Sequence, residues 1–144
     1  PTKPNESKGY IETKDVTLQR INDWIKVDLA TYTITIKVGN AKPVSGKVGI
    51  GKKATPTPVG FFYVTDIWEH PGGAYGAWTV GLSAHSTVLD TFLGGDGQVG
   101  IHDTPDQALI GKTGARISHG CVRLQRSLVP LLERVHLGTP VTIQ

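Results

Sequence analysis

From Trp24 to Val38 the sequence alternates apolar and polar residues with a period of two: Lys26 and Asp28 separate Ile25, Val27 and Leu29, and Thr33, Thr35 and Lys37 separate Tyr32, Ile34, Ile36 and Val38. A helix would repeat its apolar face every 3.6 residues, whereas a period of two gives a strand one buried face and one wet face. The stretch therefore predicts two half-buried strands. Gly39-Asn40 offers the positive backbone dihedrals of a tight turn, and Val44, Val48 and Ile50 continue as a third strand of an antiparallel meander. After the punctuation Thr57-Pro58-Val59-Gly60, the run Phe61-Phe62-Tyr63-Val64 predicts a core strand, expected beside the first two. Shorter strands are expected at Trp78 to Leu82, Val99 to Ile101 and Val141 to Ile143.

Helix is confined by this reading to two places. Thr104 to Ile110 predicts a short helix or turn. Ser127 to His136 predicts a helix that Ser127 caps, that accepts Pro130 in its first turn and that Gly138 ends. Between Trp68 and Gly97 the chain is rich in Gly and aromatic residues, the composition of a binding loop or lid, and Tyr75, Trp78 and His85 are candidates to line it or to pack. With 144 residues, 38% of them hydrophobic, the chain has enough for one core. Residues 1–23 are polar and read as a linker or peripheral segment, leaving 24–144 as the domain. The chain opens without a methionine or a signal-like apolar core, so a longer parent is expected.

The net charge is +3, with the basic residues scattered. No dense Lys/Arg run exists to track a nucleic-acid backbone, and a weakly basic surface suits an anionic polymer or carboxylate-rich substrate. No apolar stretch approaches the roughly 20 residues of a membrane span. A single cysteine forms no internal disulfide, so it is either a small buried hydrophobe or a reactive thiol.

The surroundings of that cysteine favour reactivity. Ser118-His119-Gly120-Cys121-Val122-Arg123 follows Ile101-His102-Asp103-Thr104, so two imidazoles and a guanidinium lie near the thiol in sequence. A thiol attacks as thiolate and needs a base or positive field to ionise near neutral pH. Gly120 leaves room for a substrate carbonyl and is expected to let successive main-chain N–H groups form an oxyanion hole. The combination reads as acyl transfer.

These residues resemble the YkuD-type L,D-transpeptidase catalytic domain, whose signature is a His followed about 15 residues later by Ser/Thr-His-Gly-Cys and then Asn or Arg. Here residues 103 to 117 separate His102 from Ser118-His119-Gly120-Cys121, with Arg123 two places on. Thr57-Pro58-Val59-Gly60-Phe61 and the closing Gly138-Thr139-Pro140-Val141 extend the likeness over most of 24–144. The resemblance implies a mainly β fold, a β-sandwich with mixed sheets, one or two short helices and a lid-like loop. It also implies an extracytoplasmic location, in the periplasm or cell wall. The implied activity is 3→3 cross-linking of peptidoglycan stem peptides through a thioester, with no metal or cofactor and with carbapenem-type β-lactams as inhibitors. Cys121 corresponds to the nucleophile and His102 to its base, oriented by a main-chain carbonyl just after it. His119, Ser118, Arg123 and Tyr75 are expected around the substrate, with Arg123 gripping a carboxylate. Asp103 departs from a His-Gly-Thr run and is expected to alter the base or narrow a subsite.

Other readings stay open at this stage. An L,D-carboxypeptidase would form the same acyl-enzyme and give it to water. A zinc module could use His102, His119 and Cys121, although a lone cysteine lacks the paired short spacing of structural sites. A non-catalytic wall-binding module would need a dead site. An alternative for Arg123 is a pair with a carboxylate such as Glu133, and His70, His85 and His136 have no motif and read as surface or structural.

Overall fold

The computed structural model describes residues 4–70, 72–112 and 115–144. Nine strands carry the fold: β1 (Trp24–Asp28), β2 (Thr33–Lys37), β3 (Val44–Gly51), β4 (Gly60–Glu69), β5 (Trp78–His85), β6 (Gln98–His102), β7 (Arg116–Ser118), β8 (Val122–Leu124) and β9 (Pro140–Ile143). They pair in the order β2-β1-β9-β4-β5-β6-β8-β3-β7, and β2 also pairs with β3. That extra pairing returns the sheet to its start, so eight strands curl round one apolar interior and β7 hangs on the edge of β3.

The period of two fixes which side chains fill that interior. Ile25 and Val27, Ile34 and Ile36, Val48 and Ile50, and Val122 and Leu124 all point inward and are almost fully buried. Each such Val, Ile or Leu contributes roughly 1.5–3 kcal/mol relative to exposure. The expected meander is present, with Trp24↔Lys37 opening the β1–β2 register and Ile34↔Gly46 lying within β2–β3.

Two expectations are corrected. The Phe61 strand does not lie beside the first two strands. β9 is inserted between β1 and β4, parallel to β1 (Ile25↔Val141) and antiparallel to β4 (Phe62↔Val141). Val141 and Ile143 are apolar on the inner face and both edges of their strand find partners, a pairing between segments too far apart for any local pattern to reveal. The long helix over 127–136 is also absent. A 3-10 turn at Arg126–Leu128 leads into α1 (Val129–Leu132), a single turn with Pro130 at its start and without a side-chain cap from Ser127. After Glu133 N–H, which donates to Val129 O, the bonds tighten to three-residue turns, Arg134 N–H to Leu131 O and Val135 N–H to Leu132 O. Beyond them Gly138 N–H donates to Val64 O at 2.8 Å and Val64 N–H to Thr139 O at 3.0 Å, which ties the following stretch to β4. Over 104–110 only a 3-10 turn, Gln107–Leu109, forms.

One neighbour relation matters most for function. β6 and β8 run parallel, with Ile101↔Val122 and His102↔Arg123 in register. The end of β6 and the start of β8 therefore deliver their side chains to the same place.

Candidate active site

Cys121 lies immediately before β8 and His102 ends β6. Both line one cleft with Tyr75, Ser118, His119 and Arg123, so six of the residues singled out in the sequence are brought together. Gly100 N–H points at the Cys121 sulfur, with N···Sγ 3.5 Å. Burial pushes the thiol pKa up, while the Gly100 N–H, the Arg123 charge and the Cys121 N–H pull the other way.

His102 is buried and its Nδ1 lies 2.5 Å from the Asp103 carbonyl oxygen. A carbonyl only accepts, so Nδ1 carries the proton and the lone pair is at Nε2. Burial pushes the imidazole down from 6.5 to about 4; the bond to the Asp103 carbonyl and the Asp103 charge oppose this, and the Arg123 and His70 charges add to it. Both shifts favour the uncharged forms, a neutral thiol and a neutral imidazole in the same cleft. Tyr75 packs edge-on against His102 with ring centroids 5.0 Å apart, and burial raises its pKa, as does the nearby Cys121.

The loop before the cysteine is held by hydroxyls. Ser118 Oγ donates to Cys121 O at 2.5 Å and accepts from Gly120 N–H at 3.1 Å. This corrects the expectation for Gly120: its amide is used inside the turn and is not free for an oxyanion. Its φ of +131° still favours glycine, although a Cβ would meet nothing closer than 3.7 Å. Thr57 Oγ1 donates to Gly120 O at 2.8 Å and accepts from Gly51 N–H at 2.9 Å, tying the loop to the end of β3.

Asp103 is turned away from the cysteine. Its carboxylate accepts from Thr104 N–H at 2.7 Å and Gln107 Nε2 at 2.9 Å, and meets Arg126 Nε at 3.4 Å. It lines a separate hollow with Arg126, Val129 and Pro130. Arg123 pairs with Asp106, Nη1 to Oδ2 3.2 Å, and not with Glu133. Among the other candidates, Trp78 is half-buried in β5, and His85 is buried with Nε2 2.9 Å from Asp96 Oδ2. Among the described residues, no three His, Cys, Asp or Glu side chains are grouped to hold a metal ion.

The comparisons bear on this geometry. The family model described as the L,D-transpeptidase catalytic domain, YkuD, matches residues 22–143. The chain belongs to this family. The Bacillus subtilis (strain 168) protein YkuD, an L,D-transpeptidase by name, is 32% identical over 120 residues, covering 83% of this chain and 64% of its own length. A Cys-to-Ser mutant of Enterococcus faecium L,D-transpeptidase aligns with TM-score 0.63 at 28% identity, over 86% of this chain and 50% of that one. The structure titled as the Ldtfm-avibactam carbamoyl enzyme aligns with TM-score 0.63 at 27% identity, over 85% and 49%. The chain thus spans about half to two thirds of the length of these matches.

Several residues of this family site were not legible in the sequence. Leu89, Phe92 and Leu93 form an apolar wall over the cleft, and the Phe92 ring lies 5.2 Å from His119. They sit in the expected lid region, but nothing in a Gly-rich loop says which apolar residue folds inward. The Gly100 amide left no side-chain signal at all.

Proposed function

We propose that this domain is a peptidoglycan L,D-transpeptidase that forms 3→3 cross-links through a thioester on Cys121. The observation that carries the proposal is the convergence of the chain's one cysteine with the unprotonated Nε2 side of His102 in a single cleft. In the first half-reaction Sγ attacks the carbonyl carbon of the donor stem peptide as its proton passes to His102 Nε2. The C–N bond breaks and the leaving amine takes that proton. In the second, an acceptor amine attacks the thioester, His102 takes its proton, the C–S bond breaks and the proton returns to sulfur. A neutral resting pair suits this sequence, because the thiol is deprotonated as it attacks.

The Arg123 guanidinium is the residue to hold a stem carboxylate, since a planar fork grips it in bidentate fashion. With the Gly120 amide committed, the Cys121 N–H is left to meet the developing oxyanion. Two adjoining hollows, of about 170 and 250 Å3, both reach His102 and Cys121, so a stem peptide has room on two sides of the thiol. With peptidoglycan as substrate, the proposal carries with it an extracytoplasmic location, in the periplasm or cell wall. The family match supports the reading, and the avibactam carbamoyl enzyme of a matched relative supports β-lactam-like acylating inhibitors as ligands.

Mass spectrometry of products from a purified tetrapeptide stem, with and without an added acceptor amine, tests it. A cross-linked dimer or amine adduct is expected from the native chain and not from Cys121→Ala. Only the shortened tripeptide, with acceptor present, would make the enzyme an L,D-carboxypeptidase; no product at all would overturn the reading.

A further inference from the structure

The lid over the cleft is residues 86–97, and its two ends are closed by a compact set of bonds. Ser86 N–H donates to Gly97 O at 2.8 Å, Ser86 Oγ accepts from Leu89 N–H at 3.0 Å, and Asp96 Oδ2 meets His85 Nε2 at 2.9 Å. Gly97 adopts φ +80°, and a Cβ there would stand 2.3 Å from Leu89 O, so the closure is tight. Every one of these bonds is made by His85, the last residue of β5, or by Ser86, the residue after it.

That end of β5 lacks a strand partner on one side. The β4–β5 ladder reaches Val64↔Leu82 and goes no further, because β4 turns from there to pair with β9 at Gly60 to Tyr63. Into the gap comes the N-terminal segment. Asn5 Nδ2 donates to His85 O and Asn5 Oδ1 accepts from His85 N–H, both at 2.8 Å. One side-chain amide thus satisfies both main-chain groups of His85, as a neighbouring strand would. Glu6 meets one main-chain group on the other bank, where its Oε1 accepts from Phe61 N–H at 3.1 Å. Glu6 holds a positive φ of 60°, which a non-glycine residue adopts only when its surroundings require it.

We propose that Asn5 is a positioning residue: it pins the base of the lid through His85, and so fixes the wall of Leu89, Phe92 and Leu93 against His119 and Cys121. The segment ahead of the domain is then a strap on the cleft, and whatever tension or docking it experiences reaches the substrate wall. The kinetic consequence rests on the proposed transpeptidase reading, whereas the structural one does not.

Amide hydrogen exchange on the native chain, Asn5→Ala and Glu6→Ala decides it. Loss of two side-chain bonds should speed exchange over 85–97 by about tenfold in Asn5→Ala. Glu6→Ala frees only β4 and should leave the lid at its native rate. With a stem peptide, Asn5→Ala should raise KM by about three- to tenfold, while a small neutral thiol reagent still labels Cys121 at its native rate. Unchanged lid exchange in Asn5→Ala, or equal loosening by Glu6→Ala, would overturn the strap. A native chain inert toward the peptide would sink the functional reading and leave the exchange result to stand on its own.

Discussion

His102 Nδ1–H donates a hydrogen bond to the Asp103 carbonyl and burial pushes the imidazole down to about 4, while burial pushes the Cys121 thiol up. A preformed thiolate–imidazolium pair would react with alkylating agents over a broad plateau beginning in acid. The neutral pair instead predicts iodoacetamide labelling of Cys121 that climbs with pH to beyond the ordinary thiol value, without an acid plateau. His102→Ala should slow acylation by a stem peptide or carbapenem by about 10²–10⁴, the range of a positioned acid–base group. Thr57 gives a second test at this scale. Thr57→Val keeps the shape but strips partners from two buried main-chain groups, Gly51 N–H and Gly120 O. Each unsatisfied buried group costs about 1–3 kcal/mol, so the urea midpoint should fall by the equivalent of about 2–5 kcal/mol. Acylation should slow as well, since the carbonyl released is the one preceding the nucleophile.

Among the elements, the 3-10 turns at Gln107–Leu109 and Arg126–Leu128 are fastened to the end of β6 by Asp103, through Thr104, Gln107 and Arg126. Asp103→Ala should lower unfolding free energy by about 2–4 kcal/mol, from bonds to a buried charged group. It should cost less than about tenfold in kcat, because the group that orients His102 is the main-chain carbonyl, which alanine keeps. Equilibrium denaturation and steady-state kinetics on one preparation separate the two effects. Asp103 shows where the sequence could be read and where it could not. The spacing from His102 to Cys121 placed both side chains in one cleft, because β6 and β8 are adjacent and each needs only a few residues to reach its end. The alternation in Trp24 to Val38 gave the meander for the same local reason. The carboxylate of Asp103 faces away from the cleft because its partners, Gln107 and Arg126, lie on segments whose path is set by packing. The β9 insertion was likewise hidden, since it is decided by pairing with β1 and β4 and not by its own residues.

For the whole molecule, two groups far apart in the chain, Asp23 and His102, favour their deprotonated forms in the fold, whereas Tyr75 and Cys121 are shifted the other way. Asp23 is buried at the domain's entry. Burial raises its pKa, but the Gly39 N–H and His136 Nδ1, each at 2.6 Å, outweigh this and hold it below 3.8. It ties the start of β1 to the β2–β3 turn and to the stretch between α1 and β9. His102 moves in the same direction, from 6.5 to about 4. In both cases the folded state binds fewer protons than the unfolded chain across the interval, so stability is present above the unfolded pKa and is lost as pH falls through the folded one. The two windows are distinct. His102 should erode stability from about pH 6.5 down to about 4, by an amount on the order of 3 kcal/mol, and Asp23 should act only below 3.8. Urea titrations of the native chain at successive pH values should therefore show a decline that begins near the histidine value, well above the carboxylate range. His102→Gln, which cannot take the proton, should flatten the upper window and leave the lower one. Asp23→Asn should lower stability near neutrality and flatten the lower window alone. A native chain whose stability stayed level from pH 6.5 to 4 would mean that His102 accepts a proton in the folded state without penalty, and the neutral resting pair at the centre of the proposed mechanism would have to be given up.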